Sequence, residues 1–145
     1  MKSRRELILT ALTALLLAPS VGAMAETAPA DKPLKVVFQV SDSDPAKWNL
    51  ALNNARNVQQ DLGSDKVAIE FITYGPGIGM LKMDSVAGPR VAEAVASGTS
   101  VVACENTMRN QKITRDDMLP RISCFAAGVV QLMLRQKVGY AYIRP

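Results

Sequence analysis

The sequence contains no histidine in its 145 residues. That absence excludes Ser-His-Asp and Cys-His nucleophilic pairs and removes the commonest transition-metal ligand. Cysteine is scarce too: only Cys104 and Cys124 are present, so nucleophilic chemistry points to a thiol. Basic clusters are lacking, the 17 Lys and Arg being scattered along the chain, which argues against nucleic acid as a partner. Internal repeats are absent. The apolar run Leu7 to Leu17, broken by Thr10 and Thr13, is shorter than the ~20 residues needed to span a bilayer.

What the N-terminus does have is an export pattern. Lys2-Ser3-Arg4-Arg5 supplies positive charge, the apolar run follows, and Ala23-Met24-Ala25 is a small-x-small cleavage site. Residues 1–25 are therefore expected to be a signal peptide, by the general or the twin-arginine route, for which Ser3-Arg4-Arg5 offers the paired arginines. Removing 25 of 145 residues leaves 120, enough for one domain with its own core, and no membrane segment after cleavage. The signal holds three of the 17 basic and one of the 13 acidic residues, so the mature chain carries +2. Residues 26–33 read as a flexible leader before a single domain over 34–145.

Within that domain, Leu34 to Val40 is an apolar run of strand length, expected to be a central parallel strand covered on both faces. Asp44 and Pro45 form a cap and first turn for a helix with Trp48, Leu52, Ala55, Val58 and Leu62 on one face, closed by Gly63. Asp42 and Asp44 could ligate a hard cation, but a capping role is the simpler reading. Trp48 is read as packing its helix, and the stripe Asn49, Asn53, Asn57 as a solvated face or a subunit contact.

Val67 to Tyr74 gives a second strand, Pro89 to Gly98 a short helix, and Thr99 to Cys104 a third strand. Asn106 to Lys112 follows as a helix, Thr114-Arg115-Asp116-Asp117 as a capping box, and Arg121 to Phe125 as a fourth strand. The last helix runs from about Ala127 to Val138, with Gly139 as its stop. Strands alternating with helices predict right-handed crossovers, and hence a three-layer α/β/α fold with a mainly parallel sheet of about 4–5 strands. Ligands of such folds sit beyond the carboxyl ends of the strands, where Cys104 falls.

Two readings of the thiols compete. A cysteine at a helix N-terminus meets the positive end of the dipole and free N–H groups, which favour the thiolate; Arg109, one turn on, would add charge, and Glu105 would oppose it. Alternatively, Cys104 is a buried hydrophobe, or is bridged to Cys124 across a loop of about 20 residues. Gly75-Pro76-Gly77-Ile78-Gly79 could cradle an anion through its N–H groups, but it lacks the spacing of the dinucleotide fingerprint, and glycines required by a turn are the simpler reading. The apolar breadth of the last helix predicts burial against another subunit.

Tyr74-Gly75-Pro76-Gly77, Val102-Ala103-Cys104-Glu105-Asn106-Thr107-Met108 and Gly139-Tyr140-Ala141-Tyr142-Ile143-Arg144-Pro145 together resemble the DsrE/DsrF-like sulfur-relay family. The resemblance implies a homo-oligomer, trimer or hexamer, and a cysteine, here Cys104, that accepts sulfur as a persulfide and passes it between a donor and an acceptor protein. Such a carrier needs an accessible, easily ionised thiolate and no metal or organic cofactor. Gly75, Gly77, Asn106, Thr107 and Arg109 would bind and orient the sulfur species. The resemblance departs at one point: the well-studied relays are cytoplasmic, whereas this chain is expected in the periplasm. A non-catalytic ligand-binding or assembly module with a structural Cys104 is the alternative expectation.

Overall fold

In the computed structural model, which describes residues 32–145, the first apolar run is strand β1 (Leu34–Val40). The expected signal peptide and residues 26–31 of the leader lie outside the described residues. The Asp44 carboxylate accepts from the Ala46 N–H at 2.8 Å and starts helix α1 (Pro45–Leu62), as its sequence predicts. There follow β2 (Val67–Thr73), a 3-10 segment (Gly75–Leu81), α2 (Gly88–Ala96), β3 (Ser100–Cys104) and α3 (Glu105–Asn110). A 3-10 turn (Arg115–Asp117), β4 (Ser123–Phe125), α4 (Gly128–Lys137) and β5 (Ala141–Ile143) complete the chain.

All four strand pairings are parallel, in the order β4-β3-β2-β1-β5, so the fold is the expected three-layer α/β/α arrangement. β2 takes the centre and β1 lies beside it. Two boundaries differ from the sequence reading. Arg121, expected inside the fourth strand, has φ +62 just after Pro120, so the strand starts at Ser123. The tail after Gly139, which the sequence reading gave no strand, turns at Gly139 and adds β5 to the sheet beside β1.

Alternation of side chains across the strands divides the interior in two. Val36, Phe38, Val40, Ile69, Phe71, Val101 and Ala103 face α1, α2 and the first 3-10 segment, with the Phe38 and Phe71 rings stacked at 5.1 Å. Each such buried ring contributes about 1.5–3 kcal/mol over leaving it exposed. The opposite face holds Val37, Ile72 and Val102 beneath Leu132 of α4. One helix covers what two helices and a 3-10 segment cover behind it, and α4 leaves Val129, Val130, Met133, Leu134 and Val138 in solvent.

Candidate functional site

Cys104 is the last residue of β3 and the cap of α3, so its side chain leaves the sheet at the carboxyl edge on the α4 side. In the parallel register Cys104 stands opposite Phe125 and Ala103 opposite Cys124. The two cysteines are therefore one residue out of step and point to opposite faces of the sheet, which rules out the bridge weighed from sequence. Both thiols are free.

The sulfur sits in a nest of backbone donors. The Gly128 N–H, the first of α4, lies 3.3 Å from Sγ, and the thiol reaches the Ala126 carbonyl at 3.9 Å. Burial acts most strongly on this group and pushes its pKa up. Hydrogen bonds from the Gly128 N–H, the Thr107 hydroxyl and the Thr107 and Asn106 N–H groups together outweigh it, so the net shift is downward, toward the thiolate. Two helix N-termini thus converge on one sulfur. Cys104 is only 5 % exposed, however, and the open thiol expected from sequence is corrected accordingly. The physical reason is Gly128: lacking a side chain, it lets α4 press onto the site. A Cβ there would meet Tyr74 Cβ at 3.2 Å and Cys104 Cβ at 3.3 Å.

The other residues singled out in the sequence fall into three groups. Thr107 and Asn106 lie at the sulfur, the first through hydroxyl and N–H, the second through its N–H, which also donates to the Ala126 carbonyl at 3.1 Å. Thr107 Oγ1 in turn accepts from the Gly75 N–H at 2.9 Å, so its own proton is free to point at Sγ. The glycines serve the turn. Gly75 has φ +54, and a Cβ on Gly77 would stand 2.3 Å from the Val40 carbonyl oxygen. Their N–H groups are spent on Thr107 and on the Tyr74 carbonyl, the latter at 3.1 Å, and offer nothing to an anion. Arg109 is turned to the Asn106 side chain and is not among the groups that act on the thiol.

Three contributors had no role at the site in the sequence reading, although Tyr74 and Tyr142 belong to the motifs quoted there. Gly128 is the main donor; the signal was a glycine opening an apolar helix directly after a strand that ends at the same edge as Cys104. Tyr74 packs beside it, its phenol raised chiefly by burial and then by Tyr142. Tyr142 of β5 donates to Gln39 Oε1 at 2.5 Å, and the Gln39 amide donates to Ser41 at 3.0 Å, so the C-terminal tail forms part of the rim. Arg144 extends that rim toward Asp42, whose carboxyl is lowered mainly by its hydrogen bond from Lys47.

No family model and no curated protein matches the chain. Among solved structures it is similar to a protein of unknown function, MTH1491, from Methanobacterium thermoautotrophicum. Identity is 35%, the TM-score is 0.74, and the match covers 77% of this chain and 99% of that one. BT1422 from Bacteroides thetaiotaomicron, also titled a protein of unknown function, matches at 16% identity and TM-score 0.64, over 77% of this chain and 94% of its own. The ychN protein of E. coli matches at 9% identity and TM-score 0.63, over 79% of this chain and 100% of its own, and shares the fold.

Proposed function

The chain belongs to the same family as the Methanobacterium thermoautotrophicum protein MTH1491, and from the thiol at its sheet edge we propose that it is a sulfur carrier in which Cys104 holds a persulfide. The observation that carries this reading is the Gly128 N–H at 3.3 Å from the sulfur, joined by the Thr107 hydroxyl, which favours the thiolate that sulfur chemistry requires. The Cys104 thiolate attacks the outer sulfur of a donor hydropersulfide. A new S–S bond forms on Cys104, the donor's S–S bond breaks, the donor leaves as its thiolate, and the proton stays on the transferred sulfur. No electrons are gained or lost overall. Discharge to an acceptor thiolate reverses the step.

The shielding of Cys104 adds a size requirement: hydrogen polysulfide or an unbranched persulfide reaches the sulfur, and bulky donors do not. We place this chemistry in the periplasm, on the strength of the charged and apolar N-terminal segment that ends at Ala25. Self-assembly belongs to the same proposal. Val129, Val130, Met133, Leu134 and Val138 form a solvent-facing apolar strip on the thinly covered side, and a second copy presents an identical strip for a symmetric contact. Light scattering on the mature chain checks it, with Met133→Lys expected to yield monomers.

The test of the carrier is intact mass after reduction and incubation with polysulfide. Wild type and Cys124→Ser gain one sulfur atom; Cys104→Ser gains none. A reduced wild type that gains nothing contradicts the carrier. The burial of Cys104 favours one competitor, an assembly module whose thiol only fills space; it requires Cys104 to stay inert to small thiol reagents at every pH where the protein is folded.

A further inference from the structure

Glu70 is a carboxylate in the middle of the central strand, 2 % exposed, with apolar neighbours on both sides in sequence. Burying a charge there costs stability unless it is fully paired, and an apolar residue would pack the face as well. Both of its oxygens are used, and both by α4. Gln131 donates to Oε1 at 2.8 Å and Arg135 Nε to Oε2 at 2.6 Å. Arg135 is itself held, its guanidinium lying 5.3 Å from the Tyr140 ring centre and its carbonyl accepting from the Tyr140 N–H at 3.0 Å.

Gly128, Gln131, Leu132 and Arg135 fall at spacings that share one helix face. That face meets the sheet at three places: Gly128 on Cys104, Leu132 on Val37, Ile72 and Val102, and the polar pair on Glu70. The Leu132 contact is non-directional and tolerates sliding. The Glu70 contact does not. Glu70 lies four residues back along β2 from Tyr74, about 13 Å, and Arg135 lies seven residues along α4 from Gly128, about 10.5 Å. The two ends are thus commensurate, and a shift of the helix that broke one would break the other.

We infer that Glu70, Gln131 and Arg135 form an axial stop that fixes where α4 sits along the sheet, and so holds the Gly128 N–H on the Cys104 sulfur. Glu70 and its partners are positioning residues, since none of them touches the sulfur. The consequence for sulfur transfer rests on the carrier reading above, whereas the placement of the helix does not.

Two readouts separate these. The first is amide exchange at Gly128 in the full mature protein. The second is the pH dependence of iodoacetamide alkylation of Cys104 in a Cys124→Ser background, where the ionisable side chain beside the sulfur is Tyr74. Glu70→Gln and Arg135→Gln are compared with Leu132→Ala, which loosens the same face without touching the clamp. Arg135 is half-exposed, so Arg135→Gln decides the matter if Glu70→Gln does not fold. The clamp variants are expected to raise Gly128 exchange several-fold, to move the alkylation midpoint to higher pH and to slow alkylation at neutral pH, each beyond Leu132→Ala. Gly128 exchange unchanged in a folded clamp variant, or raised equally by Leu132→Ala at matched loss of melting temperature, overturns the stop. An inert Cys104 with raised Gly128 exchange leaves the stop standing and removes the carrier alone.

Discussion

Cys104 and Cys124 sit on adjacent, paired strands, yet one residue of register gives them opposite surroundings. Cys104 faces α4 and meets backbone N–H groups from two helices; Cys124 faces the main core, half-buried, with Met108 Sδ at 4.0 Å and the Arg115 guanidinium against it. Burial raises both thiols. At Cys104 the fixed N–H donors outweigh it, while at Cys124 the nearby Arg115 does not, and Glu105 adds to the rise. The contrast teaches that several converging backbone N–H groups favour a thiolate where one guanidinium on an exposed residue, itself tied to the Ile122 carbonyl, does not outweigh burial.

The two thiols also link pH to stability with opposite sign. Cys104 is lowered in the fold, so its contribution is fully present above the unfolded thiol value of about 8.5 and is lost as pH falls through the folded value. Cys124 is raised, so its contribution is present below the unfolded value and is lost as pH rises through the folded one.

Gly128→Ala strikes that contrast hardest. The added methyl presses on Tyr74 and Cys104, costs about 1–3 kcal/mol in urea unfolding, and drives the N–H off the sulfur, so neutral-pH alkylation of Cys104 slows while Cys124 is unaffected. Thr107→Val removes one donor without crowding. Loss of a hydrogen bond to a charged group slows Cys104 alkylation at neutral pH on the order of tenfold, and Thr107→Ser restores it. Arg115→Ala has the smallest effect: it pushes Cys124 further up and slows its labelling near pH 8. It costs no more than about 1 kcal/mol and leaves the Cys104 profile in place. A shift of Cys104 in that variant would mean that the two faces are coupled, against the separation of the thiols by the sheet.

Much of the architecture was legible. Apolar runs bounded by caps and glycines marked β1 to β3, α1 and α2, and Asp44, Pro45 and Gly63 act as their types predict. The position of Cys104, strand end and helix start at once, was legible because both periodicities end there. What the sequence hid depends on tertiary register. The single-residue offset that separates the cysteines is set by how β4 pairs with β3, and no local pattern encodes it. Gly128 reads as a poor helix former until the strand beneath it is placed. β5 is three exposed residues stabilised by pairing with β1, so its own composition gave no strand signal. Glu70 was visible as a charge inside an apolar strand, but its meaning required α4 to be seen lying across it.

The decisive measurement is the pH profile of Cys104 alkylation in the mature, folded Cys124→Ser protein, using a reagent small enough to reach a shielded sulfur. The expected result is a midpoint below that of the same protein unfolded in urea. A midpoint equal to or above the unfolded one would contradict the claim that converging helix termini favour the thiolate of this sulfur.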